Sequence, residues 1–181
     1  MRKTLVTAAT FKPMEVEAIK IRPEMHVAGT ASDLIIADHL QSAIEAYEEY
    51  TDNILCRSTL DLYLDEFPDE IETPGPLYDV TSISYLDSSG ATQTLAETVY
   101  VFDGSIALAG RIAPKNGQSW PSTLQQINAV TIRAEIGYAN AASVPQRIKD
   151  GLLAKVQEIY YGTDLEAIYE ACWRSYRRIC V

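Results

Sequence analysis

The sequence predicts an α+β fold: a helical core with an inserted antiparallel β module and a C-terminal amphipathic helix. The first observation is residues 129–162, where alternation with a period of two gives way to apolar residues three and four positions apart. The second is a helical stripe of apolar residues from Leu34 to Tyr50. The third is a set of short alternating segments between these stretches, which predicts strands placed between helices.

An extended arm and two helices are predicted for the N-terminal part. Residues 1–11 form the arm, and residues 14–20 form a short helix. Arg22-Pro23 ends this helix, because a residue before proline avoids the helical region. Asp33 begins the longer helix, where a negative charge interacts favourably with the free amides. The predicted long helix extends to Tyr50.

The middle of the chain alternates between apolar and polar residues. Three leucines share one face of a strand predicted over residues 58–67. Residues 80–86 and 92–95 flank the turn sequence 87–90, which predicts a hairpin. The remaining predicted strands are residues 99–102, 105–112 and 129–136.

Two helices are predicted at the C-terminal end. Pro145 begins the first, because its missing N–H has no partner in a first helical turn, and Gly162 ends it as a residue that turns left-handed freely. Thr163 and Glu166 have the spacing of a capping box for a second helix, residues 163–179. Aromatic residues and arginines lie together on this helix, which either completes the core or docks on a partner. The predicted division is 1–53 (arm and helices), 54–141 (inserted β module) and 142–181 (C-terminal helices, one domain with 1–53).

Charge and cysteine usage exclude several classes of protein. The net charge of -10 argues against free binding to nucleic acid, because phosphate neutralisation needs clustered Lys and Arg. Acids are concentrated between Asp33 and Asp79, where Arg57 is the only Lys or Arg, which predicts an acidic face. Three cysteines without a CxxC pair fit a reduced cytoplasm better than a disulfide framework. We expect neither a signal peptide nor a membrane span.

The motifs favour no enzymatic chemistry. Ser119 has Pro121 where a nucleophile elbow needs glycine. His26 and His39 lack the spacing and the cysteine partners of a zinc site. The acids that follow the strand at 58–67 match no EF-hand loop. We therefore expect no catalytic residue, no metal ligand and no cofactor.

Several short motifs occur in an informative order: 47–51, 117–121, Gly137-Tyr138, Val144-Pro145 and Ile148-Lys149. With the predicted order of helices and strands, they resemble the head–tail connector (adaptor, or head-completion) family of long-tailed bacteriophages and related prophage particles. The resemblance covers residues 12–161 and is to the long form of the family, which carries a β module between its helices.

The resemblance implies a structural virion protein assembled in the host cytoplasm and located in the neck, between capsid and tail. Such proteins form a ring of about twelve copies on the portal. The ring extends the DNA channel, through which DNA passes without specific binding, and offers a surface to a neck, stopper or tail protein. No membrane takes part.

Two sets of residues follow from this resemblance. The C-terminal helix of relatives commonly engages the portal, which implies a portal-binding set: Trp173, Arg174, Tyr176, Arg177, Arg178 and Ile179. An acidic channel lining would repel DNA phosphate and let the duplex slide. The acids that cluster at a strand end are the expected lining, here termed the acidic cluster: Asp65, Glu66, Asp69 and Glu70.

Three other functions stay open on the sequence. A neck stopper or tail terminator would occupy the same part of a particle. A tail-side β module that binds host carbohydrate or protein would use exposed aromatic residues such as Trp120, Tyr63 and Tyr100. A metal-dependent hydrolase would use the acidic cluster.

Overall fold

The computed structural model describes residues 1–105 and 108–178 and confirms the α+β class. The described residues contain four α-helices and two antiparallel sheets. Contacts between Cα atoms divide the chain into two compact units. The β unit comprises residues 1–10 and 57–137, and the helical unit comprises residues 11–56 and 138–181.

The β unit contains all the strands of the described residues, in two sheets of order β1-β2-β8-β4-β5 and β3-β7-β6. The strands are β1 (Arg2–Thr7), β2 (Ser58–Leu64), β3 (Ile71–Pro74), β4 (Leu77–Leu86), β5 (Thr92–Thr94), β6 (Tyr100–Asp103), β7 (Ala109–Pro114) and β8 (Val130–Ile136). Every neighbouring pair of strands is antiparallel.

Strand β8 lies at the centre of the five-stranded sheet, and its sequence explains why. Its apolar residues alternate with polar ones, and the apolar face is wholly buried. Leu62, Ile132 and Ile83 lie side by side on β2, β8 and β4, and none of the three is exposed. The neighbouring row carries an ion pair in which Arg133 Nε and Nη2 each donate to the Asp61 carboxylate at 2.8 Å. Burial of the apolar face therefore fixes the register of these three strands.

Several strands differ from the prediction. The arm is strand β1, which pairs with β2 and belongs to the β unit. Strand β2 ends at Leu64, because the next residues bond elsewhere: Asp65 accepts a hydrogen bond from the Asn128 amide at 2.9 Å. Strand β3 was not predicted. The predicted strand 105–112 includes residues 106 and 107, which lie outside the described residues; of the rest, residues 109–112 belong to β7, and residues 105 and 108 lie outside any strand.

The helical unit contains α1 (Val16–Lys20), α2 (Asp33–Thr51), α3 (Gln146–Tyr161), α4 (Glu166–Trp173) and a 3-10 turn, Arg174–Tyr176. Helix α3 begins after Pro145 and ends at Gly162, whose φ of 69° is left-handed, as predicted. The amine of Lys20 joins α1 to α2 through the carboxylate of Asp33 at 2.7 Å. No helix within the described ranges is both long and apolar enough to cross a membrane.

The last helix is shorter than predicted and begins differently. Its N-cap is Leu165, and no side chain caps it in the manner of the predicted box. Instead, the Leu165 amide donates to the Glu158 carboxylate at 2.9 Å, and the Glu166 amide donates to Asp164 at 3.2 Å. These two carboxylates satisfy the first free amides, so the Thr163–Glu166 box is not needed. Helix α4 ends at Trp173.

Candidate functional site

Trp173, at the end of α4, is an internal residue of the helical unit and is not exposed at all. Its ring meets Tyr47 of α2 edge-on at 5.6 Å and lies 4.9 Å from the ring of Tyr169. Its indole N–H donates to the Ile148 carbonyl of α3 at 3.4 Å. The same burial raises the pKa of the Tyr47 hydroxyl. This member of the expected portal-binding set therefore joins α4 to the other helices.

Gly151 of α3 makes room for the indole. A Cβ at this position would lie 2.2 Å from Trp173 Nε1 and 2.8 Å from Cδ1. No other residue type fits without a shift of the ring, which explains a glycine in the interior of a helix, where it is otherwise unfavourable. The close approach of α3 and α4 thus depends on the pairing of a small residue, Gly151, with a large one, Trp173.

The residues after α4 are tied to the end of α2. The Arg178 amide donates to the Thr51 carbonyl at 2.9 Å, and Asn53 Nδ2 donates to the Tyr176 carbonyl at 2.7 Å. The Arg178 guanidinium lies 3.8 Å from the Asp52 carboxylate, and only 11% of its side chain is exposed. Arg178, a member of the expected portal-binding set, is thus mostly buried and paired within the chain.

Only part of the predicted portal-binding set is exposed. Arg174 and Arg177 are exposed, Tyr176 is half-buried, and Ile179 lies outside the described residues. The Arg177 guanidinium stands 5.7 Å from the centre of the Tyr50 ring, an attractive cation–π arrangement. We call the exposed pair Arg174 and Arg177 the basic end.

A groove lies between α2 and α4, and the sequence did not predict it. It has a volume of about 280 Å³, and aromatic residues and carboxylates line it. The carboxylates are Glu49, Glu166 and Glu170, beside the rings of Tyr50 and Tyr169. Glu166 and Glu170 are four residues apart and therefore on one face of α4, a spacing that the sequence does show. The packing of α4 on α2 brings Glu49 to them, and no local pattern predicts that packing.

The acidic cluster lies on the connection between β2 and β3, and all four of its side chains are exposed. Phe67, between the two acidic pairs, stacks on Trp120 with ring centres 4.8 Å apart and planes 8° apart. With the Asp65–Asn128 bond, this stacking fixes the connection. Glu70 lies 3.6 Å from the Arg111 guanidinium, so its charge is partly balanced. The four acids therefore lie exposed on one connection whose position is fixed by these contacts.

The residues suggested for the other functions, namely binding of carbohydrate or protein and metal-dependent hydrolysis, differ in how exposed they are. Tyr100 is only 4% exposed, and burial raises the pKa of its hydroxyl. Trp120 is half-buried under Phe67. Tyr63 is half-exposed on β2. In the described part of the chain, no three His, Cys, Asp or Glu side chains are grouped so that they could hold a metal ion.

Comparison with known proteins gives a structural likeness only. No protein-family model matches the chain, and no curated protein matches its sequence. Three solved structures have the same fold over 100% of this chain and 97% of theirs, each at 19% identity. One is from the neck of an empty gene transfer agent (GTA) particle computed with C6 symmetry, with a TM-score of 0.79. The others are from a native GTA virion, at 0.78, and from a native GTA neck computed with C12 symmetry, at 0.72.

Proposed function

We propose that this chain is a structural protein of the neck of a phage-like particle, located between capsid and tail. Within the neck, we propose the adaptor role: a ring of copies on the portal that extends the DNA channel and offers a surface to the next neck or tail protein. The observation that carries this proposal is the likeness in fold, over the whole chain, to chains of GTA necks and virions.

Two further observations support a ring-forming neck protein. The C6 and C12 symmetries of the similar neck structures are those of rings. Several of the short motifs that resemble the adaptor family lie in or directly beside helices and strands of the fold. Among them, Gly137-Tyr138 follows β8, and Val144-Pro145 precedes α3. A stopper or tail terminator would be located in the same neck, so the distinguishing property is direct binding to the portal.

The first test is cosedimentation of the purified protein with the portal from the same genome, followed by electron microscopy. The adaptor role predicts a ring stacked on the portal, and the images give its copy number directly. Failure to bind the portal at low and moderate salt would contradict the adaptor role. Binding to a preformed neck complex instead would identify a stopper or terminator.

The basic end is the surface that we propose contacts the portal. Truncation after Gly162 is a poor test, because it removes the buried Trp173 and with it part of the core. Reversal of the two exposed charges, Arg174→Glu with Arg177→Glu, leaves that core in place. We expect this variant to fold normally and to bind the portal at least about tenfold more weakly, because close pairs of opposite charges across an interface stabilise the complex.

A matched control separates a specific contact from the change in net charge. Arg22 is exposed, belongs to the same helical unit and lies outside the portal-binding set. Arg22→Glu should leave portal affinity unchanged, whereas Arg177→Glu alone, with the same change in net charge, should weaken it. Equal losses at Arg22 and at the basic end, each abolished by salt, would show that only overall charge matters.

We propose that the acidic cluster lines the DNA channel. Its four exposed carboxylates form a negative surface on which phosphate finds no attractive contact. Replacement of all four by the matching amides should leave assembly intact and slow the ejection of DNA. The control replaces four exposed acids elsewhere, namely Glu15, Glu24, Asp38 and Glu49. Equal ejection rates for the wild type and for the variant in the cluster would exclude the lining role.

A further inference from the structure

The five-stranded sheet of the β unit has two edges, β1 and β5. All six residues of β1 and all three of β5 are exposed. Within the described residues, each of these strands pairs with a neighbour on one side only, β1 with β2 and β5 with β4. An open edge presents backbone N–H and C=O groups that can pair with another chain. The sheet is therefore able to extend at both ends.

The side chains of β1 are unusually exposed to solvent for a strand that belongs to a sheet. Leu5 is 57% exposed and Val6 is 45% exposed. The strand is held by its pairing with β2, and a strand that buries neither face gains little stability from pairing alone. Val6 is bulged out of the register, so the regular part is residues 2–5. Contact with a further strand would bury aliphatic surface that the isolated chain leaves in water.

We propose that β1 of one copy pairs with β5 of the next copy, so that the sheet continues from subunit to subunit around the neck ring. This inference rests on the proposed function, because a ring needs two different, complementary surfaces on each copy. The two edges of one sheet meet that requirement. A second copy of this chain is thus the partner of both edges.

The strand directions fix the geometry of the contact. Successive antiparallel pairings across the sheet leave β1 and β5 running in the same direction. A continued sheet therefore joins them as a parallel pair, the mode of β-strand addition. One row of paired residues crosses the whole sheet: Arg2, Tyr63, Thr131, Ser84 and Thr94. Without a shift along the strands only Arg2 would overlap β5, level with Thr94. The proposed contact therefore shifts β1 by two residues, so that residues 2–4 of one copy come level with residues 92–94 of the next.

Charge favours this contact over the pairing of two β1 edges. The regular part of β1 begins with Arg2 and Lys3. Beside β5, the Asp87 carboxylate accepts hydrogen bonds from the Ser89 hydroxyl at 2.6 Å and from Gln93 Nε2 at 2.9 Å. A basic end of β1 beside this fixed acid is favourable, whereas two β1 strands would bring basic residues together.

Cysteine cross-linking tests the contact directly. Neighbouring strands lie about 4.8 Å apart, within the separation of Cα atoms that a disulfide spans, about 4.4–6.8 Å. Thr4→Cys with Thr94→Cys places one thiol on each proposed edge and keeps Arg2 and Lys3, and both substituted positions are exposed. The background carries Cys172→Ser and Cys180→Ser. Cys56 is kept, because it is buried and burial raises the pKa of its thiol to about 12.

The pattern of products distinguishes the possible contacts. After oxidation of rings assembled on the portal, we expect the double variant to give a ladder of covalent dimers, trimers and larger species. A mixture of the two single variants should stop at dimers. Thr4→Cys alone is the control for paired β1 edges, because Thr4 lies near the centre of that strand.

Each other outcome overturns the inference. Rings that are visible by microscopy but yield no cross-link in the double variant would show that the copies meet elsewhere, and the neck function would stand. Dimers from Thr4→Cys alone, without a ladder from the double variant, would replace the contact with a two-fold pairing of β1. Absence of any ring on the portal would remove the proposed function and this inference together.

Discussion

The pair Gly151 and Trp173 provides the sharpest test of the helical unit, because the substitution Gly151→Ala has two opposed effects. Alanine in a helix interior is favoured over glycine by about 1 kcal/mol. The new methyl group, however, would lie 2.2 Å from Trp173 Nε1. Ordinary contacts begin near 3.4 Å, so the indole must move by roughly 1 Å from a site where it is wholly buried.

The expected result is a net loss of stability. Overpacking of this kind costs about 1–3 kcal/mol, so it should exceed or offset the gain in helix propensity. The net loss, up to about 2 kcal/mol, lowers the urea midpoint by up to about 1 M. All four described α-helices belong to the helical unit, so far-UV circular dichroism during urea denaturation reports on that unit.

The control is the same substitution in a background where the large ring is gone. Trp173→Leu alone should cost about 3 kcal/mol, since it removes most of a buried ring. In that background, Gly151→Ala should be neutral or stabilising, and the cycle should give a coupling of at least about 1 kcal/mol. An equal gain in stability from Gly151→Ala in both backgrounds would refute the packing described for α3 and α4.

Three further outcomes are expected. Asp87→Asn should lower the free energy of unfolding near neutral pH. Hydrogen bonds in the folded protein lower the pKa of Asp87 from 3.8 to about 2. The stabilising effect of the carboxylate is therefore present above pH 3.8 and lost as the pH falls through about 2, so the difference between variant and wild type should disappear on acidification. Arg133→Gln should lower the urea midpoint, because it leaves the Asp61 carboxylate, 13% exposed, without its bidentate partner. Asn53→Ala should cost about 1–2 kcal/mol and speed hydrogen exchange after α4, because it removes the bond to the Tyr176 carbonyl; unchanged exchange there would show that this bond does not hold the segment.

Elements that are set by local chemistry were predicted from the sequence. Pro145 and Gly162 bound α3, because each acts through its own backbone. The β4–β5 hairpin followed from its turn, where Asp87 accepts hydrogen bonds from the amides of Ser89 and Ala91. In both cases, the residues that decide the structure are within a few positions of where they act.

Elements that are set by distant contacts were not predicted. Helix α4 ends at Trp173, and the segment after it bonds to Thr51 and Asn53, more than a hundred positions earlier in the sequence. A helical pattern that continued to residue 179 could not reveal those bonds. Strand β3 was missed for a similar reason, because it exists through its pairing with β7. Short strands take their identity from a partner rather than from their own pattern.

The portal-binding set shows the same limit at the level of function. Tryptophan and arginine on an amphipathic helix fit a binding surface and a core equally well by composition. For Trp173, the residue that favours a core position over a binding surface is Gly151, because it provides space for the indole on α3. Only the exposure of each side chain separated Arg177, at the surface, from Arg178, which is mostly buried.

The buried ring and the exposed arginines are related physically. Trp173 fixes the end of α4, and the two carbonyls of Thr51 and Tyr176 fix the residues around it. Arg174 and Arg177 are therefore presented from a backbone that is already ordered before any partner arrives. A segment that becomes ordered only on binding loses part of its interaction energy to that ordering, whereas a preordered one does not. If the basic end contacts the portal, substitutions that loosen Trp173 should weaken the contact even though they leave both arginines in the sequence.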